Sequence, residues 1–147
     1  MQFGADGGTL IFLNEAAEYA AESLGIAVTN VVRGVSNRDF YCPGSLLRVT
    51  LDAGHPLSRG LPAEIAVWGE GSPAWETPGT MKAVARYPQS GILASGWLLG
   101  EKILAGRAAL VEAPMGKGRA ILFGLRPQYR GQSYRTFKLL FNALTYF

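Results

Sequence analysis

The sequence contains one cysteine, Cys42, and one histidine, His55. A lone thiol excludes an intrachain disulfide and a thiolate metal cluster. A lone imidazole excludes the paired histidines common in catalytic zinc sites, and His55 is followed by Pro56-Leu57-Ser58, so a His-x-x-Glu pair fails as well. Charge is also sparse: 17% of residues, 14 basic against 11 acidic, spread along the chain with no basic stripe, which argues against a nucleic-acid partner. No apolar run approaches the roughly 20 residues that span a bilayer. The first residues lack the basic and long apolar regions of a signal peptide.

What is present is a chain of 147 residues that is 48% hydrophobic, enough for one buried core and one domain. Thr9 to Leu13 (TLIFL) is a continuous β-forming run, as in a strand covered on both faces of a mostly parallel sheet. Asn14 can cap a helix over Glu15 to Leu24, with Glu15 and Glu18 favourable in its first turn and Gly25 suited to its end. Further strands are expected over Ile26 to Val32, Leu46 to Leu51, Ile65 to Trp68, Ala83 to Tyr87 and Ile92 to Ser95, with loops over 33–44 and 69–79. Ala108 to Glu112 and Arg119 to Phe123, separated by Pro114-Met115-Gly116-Lys117-Gly118, read as a hairpin. A P-loop reading of Gly116 to Arg119 fails because a strand, not a helix, follows. Ser133 is placed to cap a last helix whose Tyr134, Phe137, Leu140, Phe141 and Leu144 form an apolar stripe expected in the core. The opening residues, with paired glycines before the first strand, read like the tail of a helix, so the chain is expected to be a C-terminal fragment lacking upstream strands.

GGTLIFLN at 7–14, HPLSRGLP at 55–62 and GKGRAILFGLRPQYRGQSYRTFKLLFNAL at 116–144 together resemble a class I glutamine amidotransferase-like domain. The segments GVSNRDFYCP at 34–43, EGSPAWE at 70–76 and LASGWLLGEK at 93–102 resemble, more narrowly, the C-terminal domain of certain bacterial zinc carboxypeptidases. The resemblance implies a partial flavodoxin-like α/β fold, a mostly parallel sheet with flanking helices and an added β hairpin. It implies a parent peptidase domain in cis that holds the zinc, no cofactor in this chain, and a secreted or periplasmic setting. The implied role is a noncatalytic accessory domain serving domain packing, homo-oligomerisation or substrate positioning. The alternative is a stand-alone carbohydrate- or small-ligand-binding module, or an uncharacterised hydrolase.

In the amidotransferase fold a nucleophilic cysteine sits on the turn after a central strand, and a His-Pro-Glu follows a later strand. Those positions fall on Asn14 or Glu15 and on Arg126-Pro127-Gln128. Neither Asn nor Glu supplies a thiolate. Arginine stays protonated and so cannot act as a base, and Gln128 lacks the orienting charge. Asn14, Glu15, Arg126, Gln128 and Arg130 nevertheless form the main ligand-site candidate, because open α/β sheets bind ligands beyond the carboxyl ends of strands. A structural ion pair locking the old active-site turn explains the Arg and Glu equally well. Trp68, Trp75 and Trp97 beside Glu70 and Glu76 fit either a sugar-binding cleft or ordinary packing. Glu70, Trp75 and Glu76 are therefore secondary candidates, while Cys42 and His55 are read as structural.

Overall fold

A computed structural model describes residues 2–146. In chain order the elements are α1 (Gln2–Ala5), β1 (Thr9–Leu13), α2 (Glu15–Ser23), β2 (Thr29–Asn30), β3 (Ser45–Leu51), β4 (Glu64–Gly69), β5 (Trp75–Glu76), β6 (Lys82–Arg86), β7 (Leu93–Ser95), α3 (Glu101–Leu104), β8 (Ala108–Met115), β9 (Gly118–Phe123) and α4 (Tyr134–Leu144). One sheet runs β1-β9-β8-β6-β3-β4, with β7 on β3 and the small β2–β5 pair joined to β8. Alternation along β9 divides the core. Ile121 and Phe123 face the cluster that contains Leu139 and Ala143 of α4, whereas Leu122 faces Ala17, Ala20 and Ala21 of α2. The helices thus cover opposite faces of the sheet, a flavodoxin-like α/β arrangement.

The α/β class matches the expectation from sequence, but the strand directions do not. Among the described strands β1–β9 is the only parallel pair; β8–β9, β6–β8, β3–β4, β3–β6, β3–β7, β2–β5 and β5–β8 are antiparallel. Parallel neighbours need a crossover of a dozen or more residues, usually a helix. Between β3 and β9 the only described α-helix is the single turn α3, so the chain doubles back instead. The expected strand over 26–32 shortens to Thr29–Asn30, and the expected loop over 69–79 contains β5.

The last helix is turned differently from its apolar pattern. Its buried residues are Thr136, Leu139 and Ala143, while Tyr134, Phe141 and Leu144 are 78%, 60% and 56% exposed. Polar anchors set that rotation. Thr136 Oγ1 reaches the carbonyls of Pro127 and Ser133 at 2.6 and 2.5 Å, and Asn142 Nδ2 donates to the carbonyls of Leu57 and Arg59 at 2.7 and 2.9 Å. Ser133 makes no side-chain cap, because its hydroxyl donates to the carbonyl of Ala66.

The two outer edges of the main sheet differ. On β4 the outward carbonyls of Ala66 and Trp68 are taken by Ser133 Oγ and by the Arg126 amide, the latter at 3.0 Å. On β1, the Arg119 amide donates to Gly8 and the Asn14 amide donates to Phe123, which fixes even-numbered residues as those facing β9. The main-chain N–H and C=O groups of Thr9, Ile11 and Leu13 therefore point away from the sheet. Among the described residues they have no hydrogen-bond partner.

Candidate functional site

The site is built at the turn from β1 into α2. Asn14 adopts φ 52°, ψ −120°, with its amide held by the Phe123 carbonyl at 2.7 Å and its own carbonyl accepting from Ala17 at 2.9 Å. Asparagine tolerates positive φ better than most residues. This ψ lies outside the left-handed helical well, however, a strain of order 1–3 kcal/mol that persists only when surroundings over-determine it. The sharp strand-to-helix bend fixes Asn14, rather than Glu15, as the elbow residue. Its side chain does not cap α2. Instead Oδ1 accepts a 2.5 Å hydrogen bond from Ser72 Oγ, and the Ser72 hydroxyl in turn accepts from the Glu70 amide at 3.0 Å.

The loop after β4 thereby brings Glu70 to the elbow. Glu70 Oε2 accepts from Trp68 Nε1 at 3.1 Å and lies 3.7 Å from Arg126 Nη1, while Arg126 Nη2 lies 3.6 Å from Glu15 Oε1. These are loose contacts rather than a bidentate fork, and Glu15 is 78% exposed, so each pair contributes about 0–1 kcal/mol. Tyr129 stacks on Trp68 with centroids 5.0 Å apart and 18° between planes; the Arg126 and Arg130 guanidiniums lie 5.6 and 5.4 Å from the Tyr129 centroid. Gln128 borders the same open cleft of about 400 Å³ with Leu13, Asn14, Glu15, Arg126 and Tyr129. Arg130, at φ 47°, is the second of the two non-glycine residues with positive φ among those described, and it adjoins this cleft through Tyr129.

The structure thus gathers Asn14, Glu15, Arg126 and Gln128 around one cleft, adds Arg130 at its rim, and brings Glu70 across from the secondary set. Trp75 and Glu76 go elsewhere. Trp75 is 1% exposed and packs with Ala17, Ala20 and Leu122, offering no indole face to a sugar. Glu76 pairs with Arg107 at 2.8 Å. Ser72 is the contributor that sequence reasoning missed: it lies 58 residues from Asn14, in a loop with no pattern to mark it.

The remaining chemically active side chains are committed elsewhere. Burial pushes the Cys42 thiol up, further than hydrogen bonding with Gly44 and Ser45 lowers it, and its Sγ–H donates to the Gly69 carbonyl at 3.4 Å. It is a packed thiol, not a thiolate. His55 is buried, with Nδ1 accepting the Leu57 amide at 3.2 Å and Nε2 3.0 Å from Glu112 Oε2, which assigns the ring proton to Nε2. Among the described residues no group of three or more His, Cys, Asp or Glu side chains is placed to hold a metal ion. The residues present do not fit a zinc centre. No described helix is long and apolar enough to cross a membrane.

The backbone is similar to a GMP synthase-type protein of Thermoplasma acidophilum, with TM-score 0.58 and 13% identity over 95% of this chain and 57% of that one. A β-galactosidase of Bacillus circulans sp. alkalophilus matches with TM-score 0.54 and 12% identity, over 98% of this chain and 19% of that one. A ThuA-like protein of Bacteroides uniformis has TM-score 0.49 and 14% identity over 97% of this chain and 59% of that one. The first of these supports a class I glutamine amidotransferase-like fold. The chain spans 57% and 19% of the first two neighbours. No protein-family model matches the sequence, and no curated protein does.

Proposed function

We propose that this chain is a noncatalytic amidotransferase-like accessory domain, one that keeps the elbow of the fold and has lost its chemistry. The observation that carries the reading is Asn14 itself: the strained bend is retained, yet its side chain is an amide spent on Ser72. Across the cleft a permanently protonated guanidinium and a neutral amide, Arg126 and Gln128, occupy the places where a base and its orienting carboxylate would act. The sequence resemblance extends the proposal to a parent zinc carboxypeptidase, whose domain in cis would hold the metal and supply the Lewis-acid chemistry. Within that parent this chain would serve packing, oligomer contacts or substrate positioning.

The experiment is the coding sequence upstream of Met1 together with a glutaminase assay of the purified chain. An in-frame zinc peptidase domain and background ammonia release are expected. A gene with no such neighbour would remove the parent, and glutamine turnover above background would remove the noncatalytic reading.

A second reading, a small-ligand site, is favoured by one observation: the two non-glycine residues with positive φ among those described, Asn14 and Arg130, both adjoin the same cleft. Such strain concentrates at ligand sites. Calorimetric titration with small zwitterions and monosaccharides tests it, and heats indistinguishable from buffer across both classes would count against it.

A further inference from the structure

His55 is the chain's one imidazole, and both of its ring nitrogens are committed. Nδ1 caps the short 3-10 turn Pro56–Ser58 by accepting the Leu57 amide at 3.2 Å, while Nε2 donates to Glu112 Oε2 at 3.0 Å. The turn in its place anchors α4, because Asn142 Nδ2 donates to the carbonyls of Leu57 and Arg59. The same turn contains a polar group that folding leaves unsatisfied. Ser58 is 5% exposed, and its hydroxyl makes no hydrogen bond among the described residues. Opening the turn hydrates that hydroxyl, which removes one unfavourable feature of the closed form.

We propose that His55 is a proton-operated latch on this turn: neutral, it holds Pro56–Ser58 closed and α4 docked; charged, it keeps Glu112 and releases Leu57. The reason lies in the donors and acceptors of the ring. An imidazole becomes charged by gaining a proton at the nitrogen that had been accepting, here Nδ1, and the charged ring has two donors and no acceptor. The Leu57 N–H and the new Nδ1–H then point at each other in a buried space. On the other side of the ring the pairing with Glu112 persists, so the ring stays in place and the turn gives way. The charged neighbours fit this division. Glu112 of β8 faces Nε2, and Lys82 of β6 lies 3.6 Å from the other oxygen of that carboxylate. From the segment after α4, Tyr146 meets the imidazole edge to face with centroids 5.9 Å apart, and the Arg119 guanidinium of β9 lies 3.9 Å from the Tyr146 centroid. In the loop before the turn, the Asp52 carboxylate accepts the Gly54 amide at 3.0 Å. Among the described residues no carboxylate is bonded to Nδ1, so no anion there offsets the lost Leu57 contact.

The test is nuclear magnetic resonance of the full chain, from about pH 8 down through the imidazole and carboxylate ranges. Ring shifts report the proton on His55, and exchange of the Leu57 amide, corrected for its intrinsic dependence on pH, reports the turn. Protection of Leu57 is expected to fall roughly tenfold in step with the ring, and the Asn142 side-chain amide to shift with it, while the amides of β8 and β9 stay protected. His55→Asn supplies an oxygen that caps the turn and takes no proton, so its Leu57 protection should not change with pH over the imidazole range. Leu57 protection that stays level while the ring gains its proton would overturn the proposal. So would a loss that coincides with the carboxylates at lower pH, a pH dependence that survives in His55→Asn, or a ring that stays neutral until the whole chain unfolds.

Discussion

Ser72 Oγ donates a 2.5 Å hydrogen bond to Asn14 Oδ1, joining the loop after β4 to the elbow after β1 across 58 residues of sequence. Asn14 is 6% exposed, so no solvent replaces that donor if it is removed. Ser72→Ala is expected to lower stability by about 1–3 kcal/mol, the cost of a buried acceptor left unpaired. Asn14→Gly, which relieves the backbone strain, should recover part of the loss in the Ser72→Ala background. Urea unfolding of the four proteins of this cycle measures both effects; equal midpoints for wild type and Ser72→Ala would show that the bond contributes nothing.

Glu112 supplies a pH dependence. Burial favours its neutral form, but the hydrogen bond from His55 and the charge of Lys82, 3.6 Å away, outweigh burial and hold the carboxyl below its ordinary value. A carboxylate depressed in the folded state binds protons more weakly there than in the unfolded chain. Its contribution is therefore complete above the unfolded value of about 4.3 and is lost as pH falls through the lower folded value. Thermal melts should drop steeply on the acid side for the wild type and less steeply for Glu112→Gln, with the two curves converging at low pH.

At the turn after β1, introducing a thiol alone should not create glutaminase chemistry. Asn14→Cys is expected to leave ammonia release from glutamine at background, because Arg126 remains protonated and has no base to offer. Turnover by that single variant would show that another group activates the thiol.

On α4 the two faces should respond oppositely to truncation. Leu139 is fully buried and Leu139→Ala is expected to cost about 2–5 kcal/mol, whereas Tyr134, 78% exposed, should change stability by less than about 0.5 kcal/mol when replaced by alanine. Denaturant midpoints for the pair decide whether the helix is turned as described.

Local features were legible in the sequence where one stretch of chain contains the whole cause. The apolar run of β1 followed by Asn14 and an acidic helix start, and the Gly116-Lys117 turn between β8 and β9, each announce themselves within about ten residues. The rotation of α4 was not legible, because apolar periodicity identifies an amphipathic helix but not the polar anchors, Thr136 and Asn142, that choose which side is buried. Strand direction escaped for a similar reason: a continuous apolar run reports burial on two faces and says nothing of the neighbour's polarity. Half of the candidate site could be read from the ends of β1 and β9, where Asn14, Glu15, Arg126 and Gln128 follow their strands directly. Glu70 and Ser72 join it through a loop whose path depends on the whole sheet.

The unlike treatment of the two sheet edges carries a consequence for growth. Polymerisation by strand addition needs two reactive ends on each unit, and the carbonyls of Ala66 and Trp68 on β4 are already occupied by Ser133 and Arg126. On β4 an incoming strand would meet two carbonyls that are already used as acceptors, so it would gain fewer main-chain hydrogen bonds there than along Thr9, Ile11 and Leu13. Ser133→Ala would free the Ala66 carbonyl and remove part of that protection.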